Sequence, residues 1–253
     1  MAKIVRKPRK TRAKKPTGYV VYRGPSLLNG DPIVVIALVS QSTNGKTGRM
    51  RQTYILHDTL SPWQAVKAGK DECICGDCKH RGVNGSERTC YVDLGHGPSA
   101  VFDCFIRGGY PDISSDPAAI RALYIGRKVR LGAYGDPAAA PVSLWLNLTV
   151  NAKGWTGYTH QWRRFPAFKL LCMASVDSPS ERAEARALGW RTFRAKRKGD
   201  PGEPLEIICP ASEEAGKRTQ CERCLLCAGD GRPAKDIVID VHGIGARNFK
   251  VAA

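Results

Sequence analysis

The residues whose types and spacing could do chemistry in this chain gather at the ends of short apolar runs. Residues 127–134 (RKVRLGAY) stop on Tyr134 and lead into Gly135, Asp136 and Pro137. Residues 155–160 (WTGYTH) carry Tyr158 and His160, with Gln161 and Trp162 directly behind. Residues 168–176 (FKLLCMASV) carry Ser175 and lead into Asp177, and residues 190–195 (WRTFRA) carry Arg191 and Arg194. Parallel strands that feed helices present functional groups at their carboxyl ends, so these side chains are expected on one rim. Two carboxylates on such a rim, Asp136 and Asp177, suit chemistry at an anomeric carbon. There one attacks or stabilises positive charge while the other handles a proton. Each also has a structural reading, because Asp136 precedes Pro137 and Asp177 precedes Ser178-Pro179, where helix caps stand. His160 fits a general base, a phosphate contact or a core histidine. Tyr158 and Trp162 would stack on a base and Gln161 would bond its edge, as an extruded or single-stranded nucleotide is held. Tyr134, Ser175 and Arg191 complete the expected substrate-binding set, with core packing as the alternative for the aromatic rings.

Ten cysteines are more than an ordinary reduced core uses, and seven of them fall in two clusters. Clustered spacing in a reducing compartment points to metal before disulfide. Cys209, Cys221, Cys224 and Cys227 supply four thiolates suited to a tetrahedral zinc site, and the CxxCxxC triplet also matches iron–sulfur spacing. The first cluster is Cys73, Cys75 and Cys78, followed by Cys90. His80 or His96 could replace one cysteine there, and Cys75, Cys78, Cys90 and His80 are the expected ligands. One or two zinc sites are therefore expected, with an iron–sulfur cluster as the alternative. Cys104 and Cys172 lie in apolar segments and are expected to pack in the core.

The formal net charge is +17, and residues 3–15 carry eight Lys or Arg with no acid. Lys3, Arg6, Lys7, Arg9, Lys10, Arg12, Lys14 and Lys15 form an arm expected to be disordered and to bind nucleic acid through counterion release; a solubilising tail is the bland alternative. No amphipathic apolar face accompanies these charges, and no apolar run approaches the roughly 20 residues of a membrane helix. A secretory signal is not expected either, because no apolar segment follows the basic start. The expectation is a soluble, cytoplasmic protein with no membrane partner; its oligomeric state is open.

Positioning these groups requires a particular order of elements. The β-rich runs 18–24, 31–40 and 51–58 read as an antiparallel meander. Ser61-Pro62 caps a short helix leading into the first cysteine cluster. From about residue 116 helices and strands alternate. Asp116-Pro117 opens a helix, 127–134 is a strand, 141–154 a helix, 155–160 a strand and 168–176 a buried strand. Ser178, Pro179 and Glu181 then start a helix ending at Gly189, and 190–195 is the returning strand. Residues 205–210 and 236–243 add two strands. This is an α/β pattern with a parallel sheet, either open and doubly wound or a barrel; the expected form is a small or incomplete TIM-like barrel with an N-terminal antiparallel β meander and cysteine-rich metal-binding insertions. No GxGxxG or GxxxxGK[ST] follows a strand, which argues against dinucleotide and P-loop chemistry. The divisions are an arm (1–16), a meander with the first cysteine cluster (17–115) and a parallel α/β part with the second (116–253), the last two forming one compact domain.

The segments CGDCKHRG, RTCYV, RLGAYGDPAAAP, TGYTHQW, MASVDS, GWRTFR and CPASEEAGKRTQCERCLLC together resemble a family of small bacteriophage proteins, from Gly18 to Arg247. The resemblance points to phage DNA transglycosylases related to tRNA-guanine transglycosylases, which replace guanine in DNA with a 7-deazaguanine. It implies a TIM-like barrel, a structural zinc, DNA and a small purine or 7-deazapurine as partners, and the host cytoplasm as location. It also implies two catalytic aspartates, which fall on Asp136 and Asp177. The tRNA enzymes carry CxCxxC and a distant histidine after the barrel, whereas here CxCxxC lies upstream and a second cysteine cluster follows. Two other functions fit the residues: an iron–sulfur radical enzyme acting on nucleic acid, and a non-enzymatic, zinc-stabilised DNA-binding phage protein.

Overall fold

The computed structural model describes residues 15–82, 87–229 and 234–249. Of the basic arm, Lys3, Arg6, Lys7, Arg9, Lys10, Arg12 and Lys14 lie outside the described residues, and Lys15 is exposed. Three strands open the fold: β1 (Gly18–Pro25), β2 (Pro32–Leu38) and β3 (Arg51–His57), with β1–β2 and β2–β3 antiparallel. The meander expected from the β-branched runs and the Asn29-Gly30 turn is present. Strand β2 is buried from Ile33 through Ala37, which explains its nearly continuous apolar sequence.

After the meander the strands turn parallel. β4 (Lys128–Tyr134) pairs in parallel with β3, and β5 (Gly154–Thr156) with β4. A second five-stranded sheet holds β6 (Tyr158–Thr159), β7 (Met173–Val176), β8 (Thr192–Lys196), β9 (Glu206–Ile208) and β10 (Asp236–Asp240), in the order β6-β7-β8-β10-β9, all parallel. Strands β5 and β6 are separated only by Gly157, where a Cβ would lie 2.8 Å from the Cys172 sulfur. Among the described residues no ladder joins β9 to β1.

The helices begin where the caps lie. α1 (Pro62–Lys67) has a reciprocal capping box between Ser61 and Gln64, and α4 (Pro117–Ala122) is capped by Asp116 through Ala118 N and Ala119 N. α6 (Pro179–Ala187) is capped by Ser178, whose oxygen accepts from Glu181 N. The Glu181 carboxylate reaches back one residue further than a capping box would, to Asp177 N at 2.8 Å. α2 (Glu72–Cys75), α3 (Gly97–Ile106), α5 (Val142–Thr149) and α7 (Cys221–Cys224) complete the described helices.

Two sequence expectations need correction. Residues 166–170 form a 3₁₀ turn, with Leu171 N and Cys172 N both bonded to Phe168 O, so the strand expected from residue 168 starts at Met173. A short apolar run does not distinguish a strand from a buried turn. The helix expected to end near Gly154 ends at Thr149, and Gly154 opens β5.

One cluster of buried apolar side chains runs from Val20 through Trp145 and Trp162 to Trp190 and so joins the meander to the parallel part. A buried ionic network ties α6 to the second sheet. Asp236, fully buried, accepts from Arg182, Arg186 and Thr192 N, while Glu206 pairs with Arg182 and Arg194. Arg194 is thereby a structural partner of β9. No helix among the described residues is long and apolar enough to cross a membrane.

Candidate active site

At the end of β4 the chain turns on Gly135, whose φ is +84°. A Cβ there would stand 2.7 Å from both Ile55 Cβ and Ile74 Cγ2, so the turn requires glycine. Asp136 follows, held by its own N–H on Ile74 O at 2.8 Å. Its Oδ1 accepts from Ala138 N at 3.0 Å, capping the 3₁₀ turn Pro137–Ala139, and from Thr159 Oγ1 at 2.7 Å. Its Oδ2 accepts from His160 N at 2.8 Å. The carboxylate is therefore a cap and also the tie between the ends of β4 and β6. It is buried yet lies on the wall of a cavity of about 500 Å³. Burial pushes its carboxyl above the usual carboxylate range, opposed by the positive charge available at His160 and by its three donors.

Asp177 stands at the corresponding end of β7 on the same cavity wall. Its Oδ1 lies 2.9 Å from His80 Nε2, and its Oδ2 lies 3.3 Å from Lys79 Nζ. Although burial alone would raise it, the His80 hydrogen bond and the charges of His160, His80 and Lys79 outweigh that and bring its pKa to about 2. The two environments thus move the proton affinities of the carboxyl groups in opposite directions, upward at Asp136 and downward at Asp177.

Lys79 and His80 arrive from the cysteine loop, in the 3₁₀ turn Lys79–Arg81. Buried Arg81 anchors that turn, pairing with Asp71 at 2.8 Å and donating to the carbonyls of Gly76 and Gly69. Gln161 anchors it from the other side, donating to Cys75 O at 3.2 Å and Asp77 Oδ1 at 2.6 Å. His80 Nδ1 lies 2.6 Å from Thr89 Oγ1, and its ring stacks on Phe249 and meets His160 edge-on. His160 Nε2 is buried and has no hydrogen-bond partner among the described residues. The ligand atoms of His80, His160 and Asp177 lie within 4.8 Å of one another.

The other expected substrate contacts divide into two groups. Tyr134, Tyr158 and Ser175 line the cavity; Tyr158 packs on Phe193, and the Tyr134 hydroxyl is buried without a hydrogen-bond partner among the described residues. Gln161 and Trp162 are turned into the protein, Trp162 beneath the Arg163 guanidinium at 3.9 Å. Arg191 donates to the carbonyls of Gly229, Ala234 and Lys235 and is not among the cavity-lining residues. Trp162 therefore packs where base stacking was expected, because it follows the end of β6 and turns beneath the chain.

Several residues of the site were not anticipated from sequence. Thr159 fixes Asp136, Lys79 faces Asp177, and Thr89 orients His80. Arg130 also lines the cavity beside Tyr91, donating to the Tyr91 hydroxyl and lying 6.0 Å from the Tyr158 ring centre. Only β4's inward side, shared with Tyr134, hinted at Arg130, and nothing local marks Thr89.

Cys75, Cys78 and Cys90 on one side, and Cys209, Cys221, Cys224 and Cys227 on the other, face this same cavity, whereas Cys73 is buried in the core and bonds Lys70 O. His96 stands 84% exposed against Asp93, away from them. Burial pushes the Cys78 and Cys227 thiols up to about 12. The donor types suit zinc or an iron–sulfur cluster. Their spacing does not: among the described residues no three sulfurs come within 4.8 Å of one another, whereas tetrahedral zinc holds its sulfurs roughly 3.8 Å apart. Cys172 and Cys104 pack against the core. Comparison of the chain with protein-family models, with curated proteins and with solved structures returns no match.

Proposed function

We propose that the protein is a DNA-modifying enzyme that exchanges guanine for a 7-deazaguanine at C1′ by double displacement, on an incomplete TIM-like barrel formed by the parallel strands. The observation that carries the reading is the placement of Asp136 and Asp177 at the carboxyl ends of two parallel strands, on the wall of one cavity. Asp136, held in a fixed orientation by three donors, is the carboxylate that attacks. Its oxygen forms a bond to C1′ as the C1′–N9 bond breaks, and the electron pair stays on guanine N9. The imidazole group of His80 or His160, held beside the Asp177 carboxylate, supplies the proton to N9. In the second half that group takes the N9 proton from the incoming 7-deazaguanine, whose nitrogen attacks C1′ and releases Asp136.

Tyr134, Tyr158 and Ser175 line the space that the base would occupy, and the basic arm would hold the DNA backbone. The cysteines facing the cavity have the donor types of a zinc or iron–sulfur site without its spacing, and no step above runs through either. Incubation of the protein with duplex and with single-stranded DNA and isotope-labelled guanine or 7-deazaguanine, followed by nucleoside mass spectrometry, tests the reading. Label is expected in the DNA of at least one substrate with wild-type protein and not with Asp136→Asn. Absence of label from every combination with folded wild-type protein overturns it.

A further inference from the structure

We propose that His80, His160 and Asp177 hold a divalent transition-metal ion at a centre separate from both cysteine clusters. Their ligand atoms already lie within 4.8 Å of one another, so small side-chain rotations bring them onto one ion. The plain alternative is an ion pair of His80 with Asp177, with Lys79 on the second oxygen. That alternative accounts for His80 and Asp177 but leaves His160 Nε2 buried with no hydrogen-bond partner among the described residues, an arrangement native structures avoid. A cation accounts for all three. The Thr89 hydroxyl at 2.6 Å from His80 Nδ1 directs Nε2 toward the cavity, as the outer partners of ligating histidines do. Two imidazoles and one carboxylate select zinc or iron(II) over calcium or magnesium. The remaining coordination positions face the 500 Å³ cavity, leaving room for water and substrate.

In the base-exchange reading, an ion held here would occupy both imidazoles and would supply a bound water as the proton carrier in their place. Ion binding does not depend on that reading, so the two can fail separately. The test uses full-length protein with its thiol sites left as purified. Cobalt(II) is titrated in and followed by calorimetry and visible absorption, where cysteine ligation shows thiolate charge transfer and the imidazole–carboxylate site shows ligand-field bands without it. Binding with ligand-field bands and no charge transfer is expected. His160→Ala and His80→Ala should weaken it at least tenfold, Thr89→Val about tenfold, and Cys224→Ser not at all. Thr89→Val keeps the test open if either histidine variant fails to fold. The proposal is overturned if all bound cobalt shows charge transfer, or if His160→Ala binds as the wild type does. Cobalt binding without base exchange retains this site and removes the base-exchange reading; base exchange without cobalt binding does the reverse.

Discussion

Replacing Asp136 by asparagine isolates what the carboxylate does, because the shape is kept and one oxygen is lost. The amide oxygen can take the place of Oδ1 and still accept from Ala138 N and Thr159 Oγ1. The amide NH₂ then faces His160 N–H, which donated to Oδ2 at 2.8 Å, so two donors meet and a backbone N–H loses its acceptor. A buried unsatisfied donor costs about 1–3 kcal/mol, and relief of the buried charge returns part of it, so a net loss of about 2 kcal/mol is expected. For a chain of this size that lowers the melting temperature by about 4–8 °C. Thr159→Val is the matched control: it removes one donor to the same carboxylate, at a cost of about 1 kcal/mol, and leaves the nucleophile in place. Thermal unfolding and label incorporation into DNA are measured on both variants. Thr159→Val should retain exchange within about tenfold while Asp136→Asn loses more than about a thousandfold. Equal exchange in the two variants refutes the nucleophile, and an unchanged melting temperature in Asp136→Asn refutes the hydrogen-bond reasoning.

Acid should destabilise the protein through Asp177. Its folded pKa of about 2 lies below its ordinary 3.8, so in chelator-treated protein the stability it contributes is present above about pH 4 and lost as pH falls toward 2, about 2 kcal/mol in all. Urea midpoints of wild type and Asp177→Asn should converge across that window, and a constant separation contradicts the ion-pair account. Gly135→Ala forces a positive φ on a residue whose Cβ meets Ile55 and Ile74, and a loss on the order of 3 kcal/mol is expected by urea unfolding; an unchanged midpoint contradicts the turn geometry. Deleting residues 1–14 removes seven Lys or Arg. If the arm neutralises phosphates, the slope of log K against log salt for duplex DNA should flatten by up to about 6, and an unchanged slope places DNA binding elsewhere.

Much of the frame was legible because its signals are local. Ser61-Pro62, Asp116-Pro117 and Ser178-Pro179 each open a helix where cap chemistry places one, and the β-branched runs of β2 and β3 form the meander. Asp136, Tyr158, His160 and Asp177 were legible as strand-end residues, and all four line the cavity. The partners that determine their chemistry were not legible, because they come from distant segments. His80 meets Asp177 across 97 positions, and Thr159 reaches Asp136 across 23. The loop bearing Lys79 and His80 invites a metal reading through its cysteines, which masks its role as the cover over β7. Trp162 and Gln161 carry the same side-chain chemistry as cavity residues, and only the turn after β6 directs them inward. Asp136 is both a cap and a cavity-wall carboxylate, so the sequence choice between the two was not a choice the fold had to make.

The central claim is that Asp136 bonds to C1′, and a trapped intermediate tests it most directly. Wild-type protein mixed with guanine-containing DNA in the absence of an incoming base, denatured during the first turnover and digested, should yield a peptide containing Asp136 esterified to the sugar of an abasic site. That adduct should be absent from Asp136→Asn. An adduct mapped to Asp177, or one that forms equally in Asp136→Asn, would contradict the account.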